Sequence, residues 1–393
     1  MIMAANNLTF EQSAAFLTDL YEQASGKSIS GVNTSNFVTV AQATLKTGYD
    51  NVISAISQVL SRTIFSVRPY SAKFVGLMVD NQRYGDIVRK INYVDKDIED
   101  DDRLPLTEGA SVDMYEIKKP EILQTNWYGG TTYQQHITIF RDQLDVAFSS
   151  VGEFGRFISG VMQNISDQME QIKEAESRAV LANFIAGKSA ASNNVINVLQ
   201  QYYDETGTTL TPATMFADSN YVAFAKWLYS FVNRLTDQLA ERTTYYHINV
   251  TGKEIHRHTP ADRLKMYMSA KSAEAIKSIA LPSVYGADRL KMIDFESVVY
   301  WQALTTPEQI VATPTYLATD GSLTTGSSTT VSNIMGFLFD EEAAGLTLIN
   351  EWMGETPFNA RGGYSNIYWH FTTRLWNDFT ENAVVLIADT VST

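Results

Sequence analysis

Cysteine is absent from all 393 residues, which excludes a disulfide scaffold and a thiolate metal site and leaves stability to packing or association. No apolar window approaches the length of a membrane span. The first ten residues lack both the basic region and the apolar run of a signal peptide, so the expectation is a soluble, unexported product with no membrane partner. Positive charge is also scarce: 30 Lys and Arg against 44 Asp and Glu give a net charge of −14. No cluster of Lys or Arg interleaved with aromatics offsets that balance. Phosphate is repelled, and direct nucleic-acid binding is disfavoured. A protein that must sit beside DNA without adhering to it would carry the same balance. What the chain does have is 45% hydrophobic residues, enough for a large core, and a length that suggests two or three lobes.

The most informative stretch runs from Ser150 to Gly187. Ser150 and Glu153 are spaced as a capping box, and Val151, Phe154, Ile158, Val161, Ile165, Met169 and Ile172 follow at helical spacing. The opposite face carries Asn164, Asp167, Gln171, Lys173, Glu174 and Arg178, and Gly187 with Lys188 offers a stop. This pattern predicts one helix of about 35 residues, roughly 50 Å long, against an average of about 11–12 residues in globular proteins. Such a helix is a strut. A strict 3.5-residue repeat with charged flanks is not sustained, which argues against a coiled coil.

Before the strut, Thr9 and Gln12 form another candidate capping box for a short helix that ends near Gly26, and Asn36 to Arg62 reads as a second helical stretch. Val79 to Tyr133 changes character. An acidic run of Asp95, Asp97, Glu99, Asp100, Asp101 and Asp102 precedes alternation around Val112, Met114 and Ile117, with Pro105 and Pro120 as breakers. The expectation is a long, extended, two-stranded excursion. The run lacks the glycine and the spacing of an EF-hand loop, and reads instead as a solvated or subunit-facing charge patch.

After the strut, Asn220 to Glu241 reads as a helix. The hexapeptide Ala261-Asp-Arg-Leu-Lys-Met266 recurs at Ala287-Asp-Arg-Leu-Lys-Met292, and Ala270 to Leu281 between the copies is helical, giving a βαβ-like unit. Thr319 to Ser332, rich in Thr, Ser and Gly, reads as a mobile surface loop. Ile367, Trp369, Phe371 and Leu375 alternate with polar residues as in a half-buried strand, and Ala383 to Ala388 reads as a strand buried on both faces. Aromatics at this spacing suit the core of a sheet better than a sugar-stacking platform.

Catalytic motifs reduce to decoys. Ala186-Gly-Lys-Ser189 has Ala182 where a phosphate loop needs its first glycine, and it ends a helix when it should follow a strand. His247, His256 and His258 gather within twelve residues but have no acidic or cysteine ligand at a telling spacing. Neither a G-x-S-x-G elbow nor an H-E-x-x-H helix occurs. Asp340, Glu341, Glu342, Glu351 and Glu355 contain candidates for a glycosidase-type pair, with nothing in the sequence to favour one. The expectation is a protein that is not an enzyme and carries no cofactor or metal.

Two stretches carry a family likeness. One is His136-Ile-Thr-Ile-Phe-Arg-Asp-Gln-Leu-Asp-Val-Ala-Phe148 running into Gly152-Glu-Phe154. The other is Ile367-Tyr-Trp-His370 through Arg374-Leu-Trp376 to Asn382-Ala-Val-Val385. With the order of elements, they make the chain resemble the major capsid proteins of tailed bacteriophages with the Hong Kong 97 phage fold, in particular those of picovirus-type short-tailed phages. The resemblance implies an α+β fold in five segments: an N-terminal helical arm (1–65), a strand and extended E-loop hairpin (66–135), a peripheral domain with the spine helix (136–191), a mixed axial domain (192–362) and returning peripheral strands (363–393).

The function it implies is self-assembly through pentamers and hexamers into an icosahedral shell enclosing double-stranded DNA without sequence-specific contact. The implied partners are a separate scaffolding protein, since no N-terminal coiled-coil extension is present, a portal protein and, as an open option, a decoration protein. The implied location is the virion capsid, after assembly in the bacterial host cytoplasm. The candidate subunit-interface residues are Asp95, Asp97, Glu99, Asp100, Asp101, Asp102, Lys118 and Lys119. Some relatives crosslink subunits through Lys and Asn; Lys96 and Asn359 lie in the corresponding regions, but no pair is assigned. The alternatives are an encapsulin-type nanocompartment shell and an unrelated soluble α+β enzyme or carbohydrate-binding protein.

Overall fold

In the computed structural model, the described residues are 10–29, 31–63, 74, 77, 87–96, 101, 106–279 and 295–392. They form α1 (Phe10–Ser25), α2 (Phe37–Leu45), α3 (Tyr49–Thr63), β1 (Ile87–Tyr93), β2 (Ile122–Tyr128), β3 (Thr131–Phe140), α4 (Arg141–Ala147) and α5 (Val151–Ala190). There follow β4 (Val195–Asn197), α6 (Val198–Thr206), α7 (Asp218–Ala240), β5 (Leu264–Ser269), α8 (Ala270–Ile279) and β6 (Glu296–Val298). The chain closes with β7 (Ile310–Ala312), β8 (Thr315–Leu317), β9 (Leu323–Thr325), β10 (Thr329–Val331), β11 (Ile334–Asp340), β12 (Ala344–Glu355), β13 (Tyr364–Asn377) and β14 (Ala383–Ile387). Two compact units result. The first comprises the described residues of 1–85 with 129–176 and 346–374; the second comprises those of 86–128, 177–345 and 375–393.

The first unit packs α1 to α3 and the leading part of α5 against the three-stranded sheet β12-β13-β3. Alternation along β13 sends Ile367, Trp369 and Phe371 into that core, where Phe154, Ile158, Ile165 and Met169 supply the helix face. Phe154 is fully buried and meets Phe16, Phe37 and Phe148 edge-on, at ring-centre distances of 5.9, 5.7 and 5.1 Å. Such contacts contribute about 0.5–1.5 kcal/mol each beyond area burial. On the other side of the sheet His136, Tyr368, His370 and Trp352 stack on one another, at 5.5, 6.4 and 3.9 Å.

The second unit is built on a five-stranded sheet of order β4-β14-β11-β5-β6. β14 is buried along its length between β4, which it pairs in parallel, and β11, as its continuous apolar run predicts. β5, α8 and β6 form the expected βαβ unit, with β6 parallel to β5. Its second strand is Glu296–Val298; the repeated hexapeptide 287–292 lies outside the described residues. Leu228, Phe231, Val232 and Leu235 of α7 join Met266, Met268, Leu338 and Val384 in the core.

Several expectations shift. α5 runs for 40 residues. Ser150 Oγ accepts the Glu153 N–H at 3.3 Å, but the Glu153 carboxylate turns to Arg156 at 2.9 Å in place of closing the box. Gly187 does not stop the helix. A Cβ there would lie 2.6 Å from Phe379 Cζ, so the glycine permits a close approach, and the helix ends beyond it, near Ser192 and Asn194, which take left-handed backbone (φ 50° and 54°). The second helical stretch of the arm is broken into α2 and α3 at Gly48, whose φ of 107° suits only glycine. Thr9, in the first capping box, lies outside the described residues. The Thr-rich segment contains strands, not a structureless loop: β9 pairs with β8 and β10 with β7, in keeping with the strand preference of threonine.

Candidate assembly surfaces

β1 and β2 pair antiparallel in register from Ile87↔Tyr128 to Tyr93↔Ile122. The pleat divides the hairpin into two faces. Val88, Lys90, Asn92, Leu123, Thr125 and Trp127 turn toward the rest of the second unit and are half-buried or buried. The other face holds Ile87, Ile91, Tyr93, Ile122 and Tyr128, all large, apolar and exposed. A two-stranded ribbon with a bare apolar face is unstable alone, so this one depends on its docked side and has an opposite side awaiting cover.

Lys90 fixes the docked side. Its Nζ lies 2.5 Å from Glu381 Oε1, 3.0 Å from Asp378 Oδ2 and 3.1 Å from Glu342 Oε2. Burial opposes the ammonium charge, but the three carboxylates outweigh it and hold the Lys90 pKa above its ordinary value. Arg257 adds a second cation 3.0 Å from Glu381 Oε1. Trp127 Nε1–H donates to the Asn377 carbonyl at 3.3 Å, and the Asp95 N–H donates to the Glu254 carbonyl just past the last strand pair, Tyr93↔Ile122. This anchor was invisible in the sequence because its members lie up to 291 residues apart. The one available signal was the charge of Asp378 and Glu381 beside an otherwise apolar terminal strand.

Between the strands, every residue from 106 to 122 is exposed. This tongue has turns at Thr107–Ala110 and around Asp113, whose Oδ1 accepts the Tyr115 N–H, in place of the strand expected around Val112 and Ile117. Met114, Tyr115 and Ile117 are 79, 78 and 79% exposed. Among the described residues the strand pairing is continued by the Val94 N–H bond with the Glu121 carbonyl.

The charged candidates divide. Asp95 is engaged within its own chain, with Arg242 at 2.6 Å and both the backbone N–H and the ring of His256. Partial burial pushes its pKa up, but these bonds outweigh that and hold it low. Asp101 is exposed, and Lys118 and Lys119 are exposed on the tongue, with Lys118 3.8 Å from Glu116. Asp97, Glu99, Asp100 and Asp102 lie outside the described residues.

A cleft of about 490 Å³ lies within the second unit, walled by β2, α5, the β8–β9 hairpin and the end of β13. Leu123, Trp127, Val180, Leu317, Leu323 and Trp376 make it mostly apolar.

The decoys take structural roles. Lys188 is fully buried, donating to Asn193 Oδ1 at 2.9 Å and the Tyr246 carbonyl at 3.2 Å. Burial brings its pKa down to about 7. His247 is buried against Asn382, Asn249 and the Ile255 carbonyl, His256 binds Asp95, and His258 is exposed. Among the described residues, no group of three or more His, Asp or Glu could hold a metal ion. Asp340, Glu341 and Glu342 all face Arg263, at 3.4, 3.2 and 2.5 Å, while Glu351 and Glu355 belong to β12. Among the described residues no helix is long and apolar enough to cross a membrane.

A family model for Phi29-like phage major capsid proteins matches residues 14–387, nearly the whole chain. No curated protein sequence matches it. Among solved structures, the fold is similar to a chain of the capsid structure of Staphylococcus phage Andhra, with a TM-score of 0.56 at 11% identity over 83% of this chain and 86% of that one. It is also similar to a chain in the structure of the head fiber and inner core protein gp22 of native bacteriophage P68, with a TM-score of 0.55 at 11% identity over 82% and 86%.

Proposed function

The chain belongs to the family of Phi29-like phage major capsid proteins, and from that premise we propose how its surfaces build a shell. Its role is structural, its α+β fold is that of the Hong Kong 97 phage capsid subunit, and it associates with copies of itself in the virion capsid. The finer reading is that copies meet in rings of five and six, which close into an icosahedral container for double-stranded DNA. The observation that carries this reading is the exposed apolar surface of the hairpin and tongue, which a lone subunit leaves bare.

Each contact need bury only an ordinary interface, about 1,600 Å² or less, because closure multiplies weak heterologous contacts. In this reading 1–65 is the N-arm, 66–135 the E-loop region, 136–191 the spine and peripheral domain, 192–362 the axial domain and 363–393 the returning strands. The net charge of −14 suits a wall along which packed DNA slides. A separate scaffolding protein, a portal protein and a decoration protein are the further partners, and the host cytoplasm is the place of assembly. The acidic residues that follow Asp95 in the run, with Lys118 and Lys119, contribute to subunit contacts. An encapsulin-type shell would share the fold, but the family match along 14–387 favours the phage shell.

Negative-stain electron microscopy of the purified protein, alone and with its scaffolding partner, tests the reading. Uniform closed shells are expected under at least one condition. Discrete monomers or dimers under both would overturn it.

A further inference from the structure

We propose that the buried amine of Lys188 and the side-chain amide of Asn193 are a self-reacting pair, joined in the folded chain by an isopeptide bond with loss of ammonia. The bond lies within one chain and within the second unit, links no subunits, and stands apart from the shell reading.

The nucleophile is set by burial. Lys188 sits in the last turn of α5, fully buried, and its Nζ meets two carbonyl oxygens, Asn193 Oδ1 at 2.9 Å and that of Tyr246 at 3.2 Å. Among the described residues no carboxylate pairs with it: Asp378, which acts on it through space, is held by Lys90 at 3.0 Å. An ammonium in such a place is costly, so burial lowers the pKa to about 7 against the opposing pull of Asp378. His247 is the other titratable group beside it, and burial lowers its pKa too. A desolvated, neutral lysine amine is a nucleophile.

The electrophile is held to match. The Asn193 N–H donates to the Lys188 carbonyl at 2.9 Å, which folds the loop back over the helix end. Ser192 and Asn194, on either side, take left-handed backbone that residues other than glycine rarely adopt. Strain of this kind persists where the surroundings over-determine a position. Asn194 Nδ2 donates to Asn193 Oδ1 at 2.9 Å and to the Tyr245 carbonyl at 2.9 Å, so the oxygen that gains negative charge during attack already faces a fixed donor besides the amine. The leaving nitrogen, Asn193 Nδ2, donates to the His247 carbonyl at 3.4 Å, and Asn193 is half-buried, which leaves ammonia a way out.

The step balances without a co-reactant. The Nζ lone pair attacks Cγ of Asn193, the Nζ–Cγ bond forms, the Cγ–Nδ2 bond breaks, one Nζ proton passes to Nδ2, and ammonia leaves. Nothing is oxidised or reduced. Holding amine and amide in contact makes the reaction intramolecular, which removes the entropy cost of bringing them together. Among the described residues no acid touches Nδ2 to protonate it, so the step is slow: freshly folded protein carries the free, titrating amine and aged protein carries the bond.

Mass spectrometry of the unmodified chain is the test. Full-length folded protein is incubated at pH 9, then denatured and digested with trypsin, which cuts after Arg178, Lys188 and Lys226. The expected product is residues 179–226 in one piece, uncut at Lys188, lighter by one ammonia and growing with time. Its rate of appearance should rise about tenfold between pH 5 and 6 and level off above pH 7, following the neutral amine. Protein kept in denaturant should not form it. Lys188→Met and Asn193→Ala should each abolish it, and should either fail to fold, the digest of the unmodified chain stands on its own. Complete cleavage at Lys188 with unchanged mass would overturn the proposal. So would ammonia loss with Lys188 still cleavable, which would mean that Asn193 has cyclised onto its own backbone.

Discussion

Glu176 is a carboxylate that the fold keeps at a cost. Thr373 Oγ1 donates to its Oε1 at 2.5 Å and Tyr133 reaches the same group, yet burial outweighs both bonds and raises its pKa. A raised carboxylate pKa means that the folded state binds the proton more tightly than the unfolded one. This contribution is therefore present below the folded pKa and is lost as pH rises through it. Glu176→Gln, which keeps an acceptor for Thr373, should stabilise the protein at pH 7 by about 1 kcal/mol. The gain should shrink as pH falls below 5, which thermal melts across pH 4–8 would register.

Lys188 has the opposite sign. Its pKa of about 7 lies below the unfolded value, so stability from this group should rise as pH climbs from 7 toward 10. Lys188→Met should flatten that rise, and an unchanged slope would contradict the account. In the sequence Lys188 stood out as part of a false phosphate loop and of a helix stop. Its buried role depends on Asn193 and Tyr246 converging on it, which no spacing encodes.

At the scale of elements, helical and strand periodicity carried far. The spine α5, the helix α7, the central strand β14 and the alternating strand β13 all follow from apolar spacing, because each buries a face of regular period. Where the reading failed, tertiary contact decided. Gly187 looked like a stop but serves Phe379, and Gly48 breaks a pattern that periodicity carries straight through.

The ribbon β1–β2 was legible as two strands, whereas its anchor was not, since Lys90 meets carboxylates from β14's approach and from the end of β11. Lys90→Met should destabilise the second unit by about 3 kcal/mol, because it leaves Asp378 and Glu381 buried with less compensation. Chemical denaturation would measure this. Phe154→Ala should cost the first unit about 3–5 kcal/mol by opening a cavity where three rings meet.

For the whole molecule, the surplus of exposed apolar surface is concentrated on the ribbon and its tongue, and a shell subunit has neighbours to cover it. The resemblance noted in the sequence reached the family through two stretches, His136–Phe154 and Ile367–Val385, taken together with element order. The individual contact residues stayed illegible for a physical reason. An interface is completed by a second copy, and a single chain's pattern records only that something apolar is left over. Asp95 illustrates the limit: it was marked for a neighbour's basic residue, and its own Arg242 and His256 occupy it. Neutralising Asp101, Lys118 and Lys119 together should impair shell assembly and leave the melting temperature of the free subunit unchanged; assembly at the wild-type rate would refute their part in subunit contacts.

The most direct measurement is a cryo-electron microscopy reconstruction of the assembled particle. The account predicts a closed shell in which Met114, Tyr115 and Ile117, with the outer face of the ribbon at Ile91, Tyr93 and Ile122, are covered by neighbouring copies. A shell in which these residues still face solvent would contradict it.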